Sequence, residues 1–96
     1  MRQSQIHLGS GQTISFLVST DDGVSLLECD DAALFLEHFL KEGPRFELPP
    51  GGFIRGFISE EEGAYFDLRD RFGLVVKDIV HLDYETAQSE ILDRLW

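Results

Sequence analysis

Residues Thr13–Cys29, TISFLVSTDDGVSLLEC, decide the fold because they combine two strand patterns with a tight turn. Over Thr13–Thr20 apolar and polar residues alternate, which is the period of a half-buried β-strand. Asp22–Gly23 follows, and Val24–Cys29 resumes the β-rich pattern. An Asp-Gly pair suits the two-residue type I′ turn, in which both central residues have positive φ. The sequence therefore predicts an antiparallel β-hairpin here.

Two helices are predicted further along the chain. Asp30 or Asp31 can cap the first helix, Ala32–Glu42, whose apolar side chains recur at helical spacing. Asp83 caps the second helix, Tyr84–Trp96, by the same chemistry. The residues that this second helix turns toward the core are predicted to be Tyr84, Ala87, Ile91 and Leu95.

The remaining chain predicts strands joined by short turns. The candidate strands are Arg45–Leu48, Phe53–Ser59, Ala64–Arg69 and Leu74–Leu82. Gly56, inside the second of them, suggests a bulge or a close backbone approach. Successive strands joined this way favour an antiparallel sheet with helices on one side. We expect a single α+β domain over residues 1–96, with a mostly antiparallel sheet of five to six strands in the order β-β-α-β-β-β-β-α and two helices packed on one face.

The charge balance is the unusual feature of the composition. Eighteen Asp and Glu residues oppose eight Lys and Arg residues, so the formal net charge is −10. Each half of the chain, divided after Leu48, carries half of that charge, so the acidity is not confined to a tail. A nucleic-acid or anionic membrane surface needs a basic stripe, and none is present. Negative charge instead steers the chain toward a protein with a basic surface.

Cysteine content and the N-terminal sequence favour the cytoplasm. Cys29 is the one cysteine, so no internal disulfide can form, which suits a reducing compartment. The first residues, MRQSQIHLGSGQ, lack the apolar core of a signal peptide. No apolar run is long enough to span a bilayer. We therefore expect a cytoplasmic protein.

No motif for catalysis or cofactor binding stands out. The chain has no G-x-S-x-G turn for a nucleophile. Cys29 lies in a predicted strand, and the nearest histidine in sequence, His38, lies on the polar side of a predicted helix. The histidines are too widely spaced for a metal site, and no phosphate-binding glycine loop is present. We expect no enzyme activity, no cofactor and no metal.

The candidate binding residues are acidic, with one aromatic residue added. They are Asp21, Asp22, Glu28, Asp30, Asp31, Glu60, Glu61, Glu62 and Trp96. The turns at 21–23 and 60–63 both follow predicted strands, so they are expected at one end of the sheet, and the acids at 28–31 can extend that surface. Trp96 either packs beneath the helix or anchors a partner, because Trp is enriched at binding hot spots. Solvated turns that keep the protein soluble are the alternative interpretation of these acids.

Strand Phe53–Ser59 carries apolar residues on both faces. This pattern indicates either that both faces of the strand are covered within the fold or that one face exposes a patch that a partner covers.

The leading hypothesis is a non-enzymatic protein-binding module, monomeric or dimeric, that inhibits a partner by blocking its basic nucleic-acid-binding or toxin surface. In size and charge the chain is similar to phage-encoded inhibitors of bacterial defence and to bacterial immunity proteins. That likeness carries over no residues. The alternative is an assembly subunit that self-associates through the apolar strand.

Overall fold

A computed structural model describes residues 2–40 and 46–95 of the chain. Within these residues there are six strands: β1 (Arg2–His7), β2 (Thr13–Asp21), β3 (Val24–Cys29), β4 (Phe53–Ser59), β5 (Gly63–Arg69) and β6 (Val75–Leu82). Helix α1 (Ala32–Leu40) connects β3 to β4. Helix α2, residues 84–95, consists of α-helical turns at Tyr84–Ala87 and Asp93–Leu95 with a π-helical stretch, Gln88–Leu92, between them.

The six strands form one sheet in the order β1-β2-β3-β4-β5-β6, and every neighbouring pair is antiparallel. Both helices pack their apolar side chains on the same face of this sheet. These observations confirm the α+β class, the antiparallel sheet and the two helices on one face.

One strand lies elsewhere than expected. β1 forms from Arg2–His7, a polar segment in which only Ile6 is buried. Its pattern carries no apolar alternation because it is an edge strand that pairs through its backbone with β2. The expected strand Arg45–Leu48 is not seen at residues 46–48, and Arg45 lies outside the described residues. The observed order is therefore three strands, a helix, three strands and a helix.

The predicted hairpin is present at β2–β3. Asp21 pairs with Val24, which leaves Asp22 and Gly23 as the two turn residues. Their φ angles are 51° and 79°, as a type I′ turn requires. This turn sets the register in which Val18 and Leu27 both face the core.

The core is centred on Phe35 of α1, which is fully buried. Its ring lies 6.2 Å from the ring of Phe16 in β2 and 5.2 Å from that of Phe66 in β5, measured between centroids. Phe39, one turn along the helix, is 4.6 Å away. The aromatic residues of α1 thus join the two halves of the sheet, as the helical spacing predicts.

Helix α2 crosses the same face, with its first turn on β5 and β4 and its last turn on β1. The Asp83 side chain accepts a hydrogen bond from the Thr86 backbone N–H at 3.3 Å, which confirms the predicted cap. Of the predicted core stripe, Ala87, Ile91 and Leu95 are buried and Tyr84 is half-buried.

Candidate protein-interaction surface

The face of the sheet opposite the helices is uncovered within the described residues, and it is not uniformly polar. Cross-strand pairing aligns Leu26 with Phe57, Phe57 with Tyr65, and Tyr65 with His81. We call these four residues the aromatic stripe. It crosses β3, β4, β5 and β6 one or two residues from the ends of these strands. The four side chains share one face, because directly opposite residues of antiparallel strands point to the same face.

Three residues of the stripe, Phe57, Tyr65 and His81, form a row of rings in contact, with solvent on its outer side. Phe57 and Tyr65 stack with centroids 5.2 Å apart and an interplanar angle of 27°. His81 meets Tyr65 edge to face at 4.3 Å. Leu26 remains 45% exposed and Tyr65 38% exposed. A contiguous apolar patch that a fold leaves in contact with water is a recognised mark of an interaction site.

Two acidic turns lie side by side at the end of the sheet nearest this stripe. Val24 at the start of β3 pairs with Ser59 at the end of β4, so the β2–β3 turn lies beside the β4–β5 turn. Together they border a groove of about 560 Å³. Its lining residues are Asp22, Gly23, Val24, Phe57, Ser59, Glu60, Glu61 and Glu62. The expectation that turns 21–23 and 60–63 share one end of the sheet is therefore confirmed, and Phe57 belongs to both groove and stripe.

The charges of these turns are not compensated within the described part of the chain. Salt bridges there join Arg55 Nε to Glu28 Oε1 at 3.5 Å and Arg69 Nε to Asp67 Oδ1 at 2.9 Å. No Lys or Arg described in the structure pairs with the five carboxylates of the acidic turns, which are Asp21, Asp22, Glu60, Glu61 and Glu62. The turns therefore form a patch of one sign next to an apolar row, which attracts a cationic surface.

The second group of acidic candidates borders the same face at its opposite end. Glu28, Asp30 and Asp31 line a shallower groove of about 320 Å³ together with Leu17. β3 separates the two groups by roughly 17 Å, at about 3.3 Å per residue. Glu28 is paired with Arg55, and the Asp31 side chain accepts a hydrogen bond from the Leu34 backbone N–H at 3.1 Å. These acids thus flank the face instead of enlarging the acidic turns.

Two other residues considered in the sequence are Trp96 and Cys29. Trp96 lies outside the described residues. Cys29 is buried, and burial raises the pKa of its thiol to about 11, a value that leaves no thiolate to act as a nucleophile near neutral pH. Within residues 2–40 and 46–95, no three His, Cys, Asp or Glu side chains cluster closely enough to hold a metal ion.

Sequence reasoning missed Tyr65 and His81 as parts of a binding face. A usable signal was present: Leu26, Phe57 and Tyr65 are each next to a core residue in sequence, and so are out of phase with the buried positions. A large apolar residue out of phase in a strand has to lie on the face away from the core.

No helix described here is both long enough and apolar enough to cross a membrane. No protein-family model matches the chain, and neither a curated protein nor a solved structure matches it.

Proposed function

We propose that this chain is a small, non-enzymatic, cytoplasmic protein-binding module that inhibits a partner by covering its basic nucleic-acid-binding or toxin surface. One observation carries the proposal: the aromatic stripe lies exposed beside the uncompensated acidic turns, on the face that the helices leave free. An apolar centre with a charged rim is the usual anatomy of a protein–protein interface.

The size of the free face supports this role. The molecule measures 33 × 31 × 24 Å. Six strands at about 4.8 Å spacing give the sheet a width of roughly 25 Å, and strands of six to nine residues are about 20–30 Å long. That area is comparable with the ~800 Å² that each partner contributes to a standard interface.

The chemistry of the face selects a basic partner. Carboxylates at the rim attract Lys and Arg at long range, which raises the association rate, whereas the buried apolar centre determines how slowly the complex dissociates. Lys and Arg residues that bind phosphates on a nucleic-acid-binding or toxin protein present the matching charge. Covering them with carboxylates prevents the partner from binding its own anionic substrate.

Self-association through the aromatic stripe is the alternative function. β4 supports it, because Ile54 and Ile58 are in the core while Phe57 faces the open side. The net charge of −10 opposes stacking of two identical faces, since their acidic turns repel.

The test compares three immobilised forms of the protein in lysate of the source cell, washed at low and then high salt. The first form is the wild type. The second, the turn variant, carries Glu60→Lys, Glu61→Lys and Glu62→Lys. The third, a matched control, carries Glu37→Lys, Glu85→Lys and Asp93→Lys, which reverse the same number of charges on the helices. Circular dichroism and thermal unfolding verify that all three are folded.

We expect one basic protein on the wild type and the control, released by salt and absent from the turn variant. With that partner purified, the turn variant should associate at least about tenfold more slowly, and its rate should depend less on salt. Tyr65→Ser should instead raise the dissociation rate. A partner that binds all three forms equally, or one that is not basic, contradicts the proposal; copies of the chain alone favour self-association.

A further inference from the structure

The tip of the β5–β6 hairpin is a second exposed apolar surface, at the end of the sheet away from the acidic turns. Seven large apolar side chains are exposed in the described part of the chain, and four of them are in this tip. They are Phe72 (75% exposed), Leu74 (67%), Val75 (52%) and Val76 (51%). We call residues 70–76 the hairpin tip. The concentration of apolar exposure in seven residues marks it as a surface with a partner.

Hydrogen bonds hold the hairpin tip in one conformation. One carboxylate oxygen of Asp70 accepts from the backbone N–H of Phe72 at 2.9 Å and from that of Leu74 at 3.0 Å. The Arg69 guanidinium donates to the Gly73 carbonyl at 2.9 Å. The tip is therefore preorganised to present Phe72, and little ordering entropy opposes its binding.

The hairpin tip also presents an exposed cation, Arg71. Within residues 70–76 Arg71 balances Asp70, so the tip has no net charge in a molecule of −10, and Lys77 directly follows it. Arg69 is paired with Asp67. The Arg71 guanidinium carbon lies 4.8 Å from the centre of the Phe72 ring. The tip thus offers an aromatic ring with a cation beside it, which is the chemistry proposed above for the partner of the acidic face.

We infer that the hairpin tip of one copy docks on the aromatic stripe of a second copy, with Arg71 directed to the acidic turns. Arg71 and Phe72 identify this occupant, because the chain itself presents both an apolar face beside uncompensated carboxylates and an apolar tip with an exposed arginine on its aromatic ring. The contact has to form between molecules, since β5 separates the tip from the acidic turns by about 20 Å within one copy. The inference uses the same face as the proposed function.

The contact would be head to tail, because the two surfaces differ. Such a contact leaves one free face and one free tip on every dimer, so assembly continues as concentration rises. It also occupies the face that the proposed function assigns to a basic partner. Self-association and partner binding therefore compete, and a partner that binds more tightly dissociates the oligomers.

Sedimentation equilibrium from about 10 µM to about 1 mM protein, at low and high salt, measures the association. Three variants are compared with the wild type. Phe72→Ser alters the tip at a side chain exposed enough to leave folding intact. The Glu60→Lys, Glu62→Lys variant alters the face, and Glu37→Lys with Glu85→Lys is its charge-matched control.

We expect the mass of the wild type and of the control to rise with concentration and to fall with salt. Each of the other two variants should weaken association by at least about tenfold. When those two are mixed, the intact face of Phe72→Ser should bind the intact tip of the other and give a 1:1 dimer that does not extend. A wild type that stays monomeric throughout, or a mixture that gives no dimer, overturns the inference.

Partner binding separates this result from the proposed function. At a concentration where the wild type is monomeric, Phe72→Ser should bind the basic partner with wild-type affinity, because its face is unchanged. Loss of the partner from the turn variant, in a protein that never self-associates, supports the proposed function and rejects the inference. If the two mixed variants give the 1:1 dimer but no basic partner is found, the result supports the inference and rejects the proposed function.

Discussion

At the scale of single residues, Gly56 shows how tightly the sheet is built beneath the aromatic stripe. It pairs with Phe66 across β4 and β5, and the Phe66 ring covers it on the core side. A Cβ atom at position 56 would overlap the Phe66 ring and the Tyr65 carbonyl oxygen. The close backbone approach expected from a glycine inside a strand is therefore what the structure shows.

Gly56→Ala should lower the free energy of unfolding by about 1–3 kcal/mol, because neither the ring nor the backbone can move away cheaply. Urea denaturation followed by circular dichroism measures the loss. Gly9→Ala is the control, since nothing lies within 4 Å of a Cβ there, and we expect a change within about 0.5 kcal/mol. Equal stability of the two variants would show that Phe66 is not packed on Gly56.

At the scale of elements, the first turn of α1 separates structural acids from acids free to bind. Asp31 accepts a hydrogen bond from the Leu34 N–H, so it satisfies one of the donors that every helix start leaves unpaired. No side-chain hydrogen bond of Asp30 is seen among the described residues, and its side chain is exposed. The two neighbours carry the same charge but differ in their role.

Asp31→Ala should therefore destabilise the protein by about 1 kcal/mol through loss of the cap. Asp30→Ala removes the same charge and should change stability by less than about 0.5 kcal/mol. Thermal unfolding of both variants in the same buffer distinguishes a cap from a general charge effect. If the two losses are equal, charge and not capping controls this helix start, and Asp30 is then no better a probe of binding than Asp31.

At the scale of the whole molecule, the pKa of His38 on α1 responds to its burial and to the charges of α2. Burial lowers the pKa of its imidazole below the usual 6.5, and the Arg94 charge on α2 lowers it further, while Glu90 opposes the shift. The unfolded chain thus binds a proton at higher pH than the folded chain does. The stability that neutral His38 contributes is present above its ordinary pKa and is lost as the pH falls below it.

We expect the free energy of unfolding to decrease from about pH 8 to about pH 5 more steeply in the wild type than in His38→Gln, which cannot titrate. Protonation of carboxylates also relieves repulsion in this range, but it does so in both proteins. The difference between the two slopes therefore isolates His38. Parallel curves would mean that folding does not lower the pKa of His38.

Local chemistry in the sequence determined much of this fold. The Asp22–Gly23 turn, the alternation in Thr13–Thr20, the helical spacing in α1 and the capping by Asp83 each depend on residues close together in the chain. Short-range sterics and hydrogen bonds decide such features before any long-range contact forms. The α+β class follows from their order.

Tertiary structure alone decided which surfaces are available. Polar β1 became a strand because β2 offered it a partner, whereas Phe46–Leu48 found none among the described residues. The acidic turns meet because Val24 pairs with Ser59, and Tyr65 joins the stripe because it pairs with Phe57. Pairing order and register depend on contacts between distant parts of the chain, and a shift of one residue would exchange the two faces of a strand. The free face and the hairpin tip are therefore consequences of the complete sheet and not of any local motif.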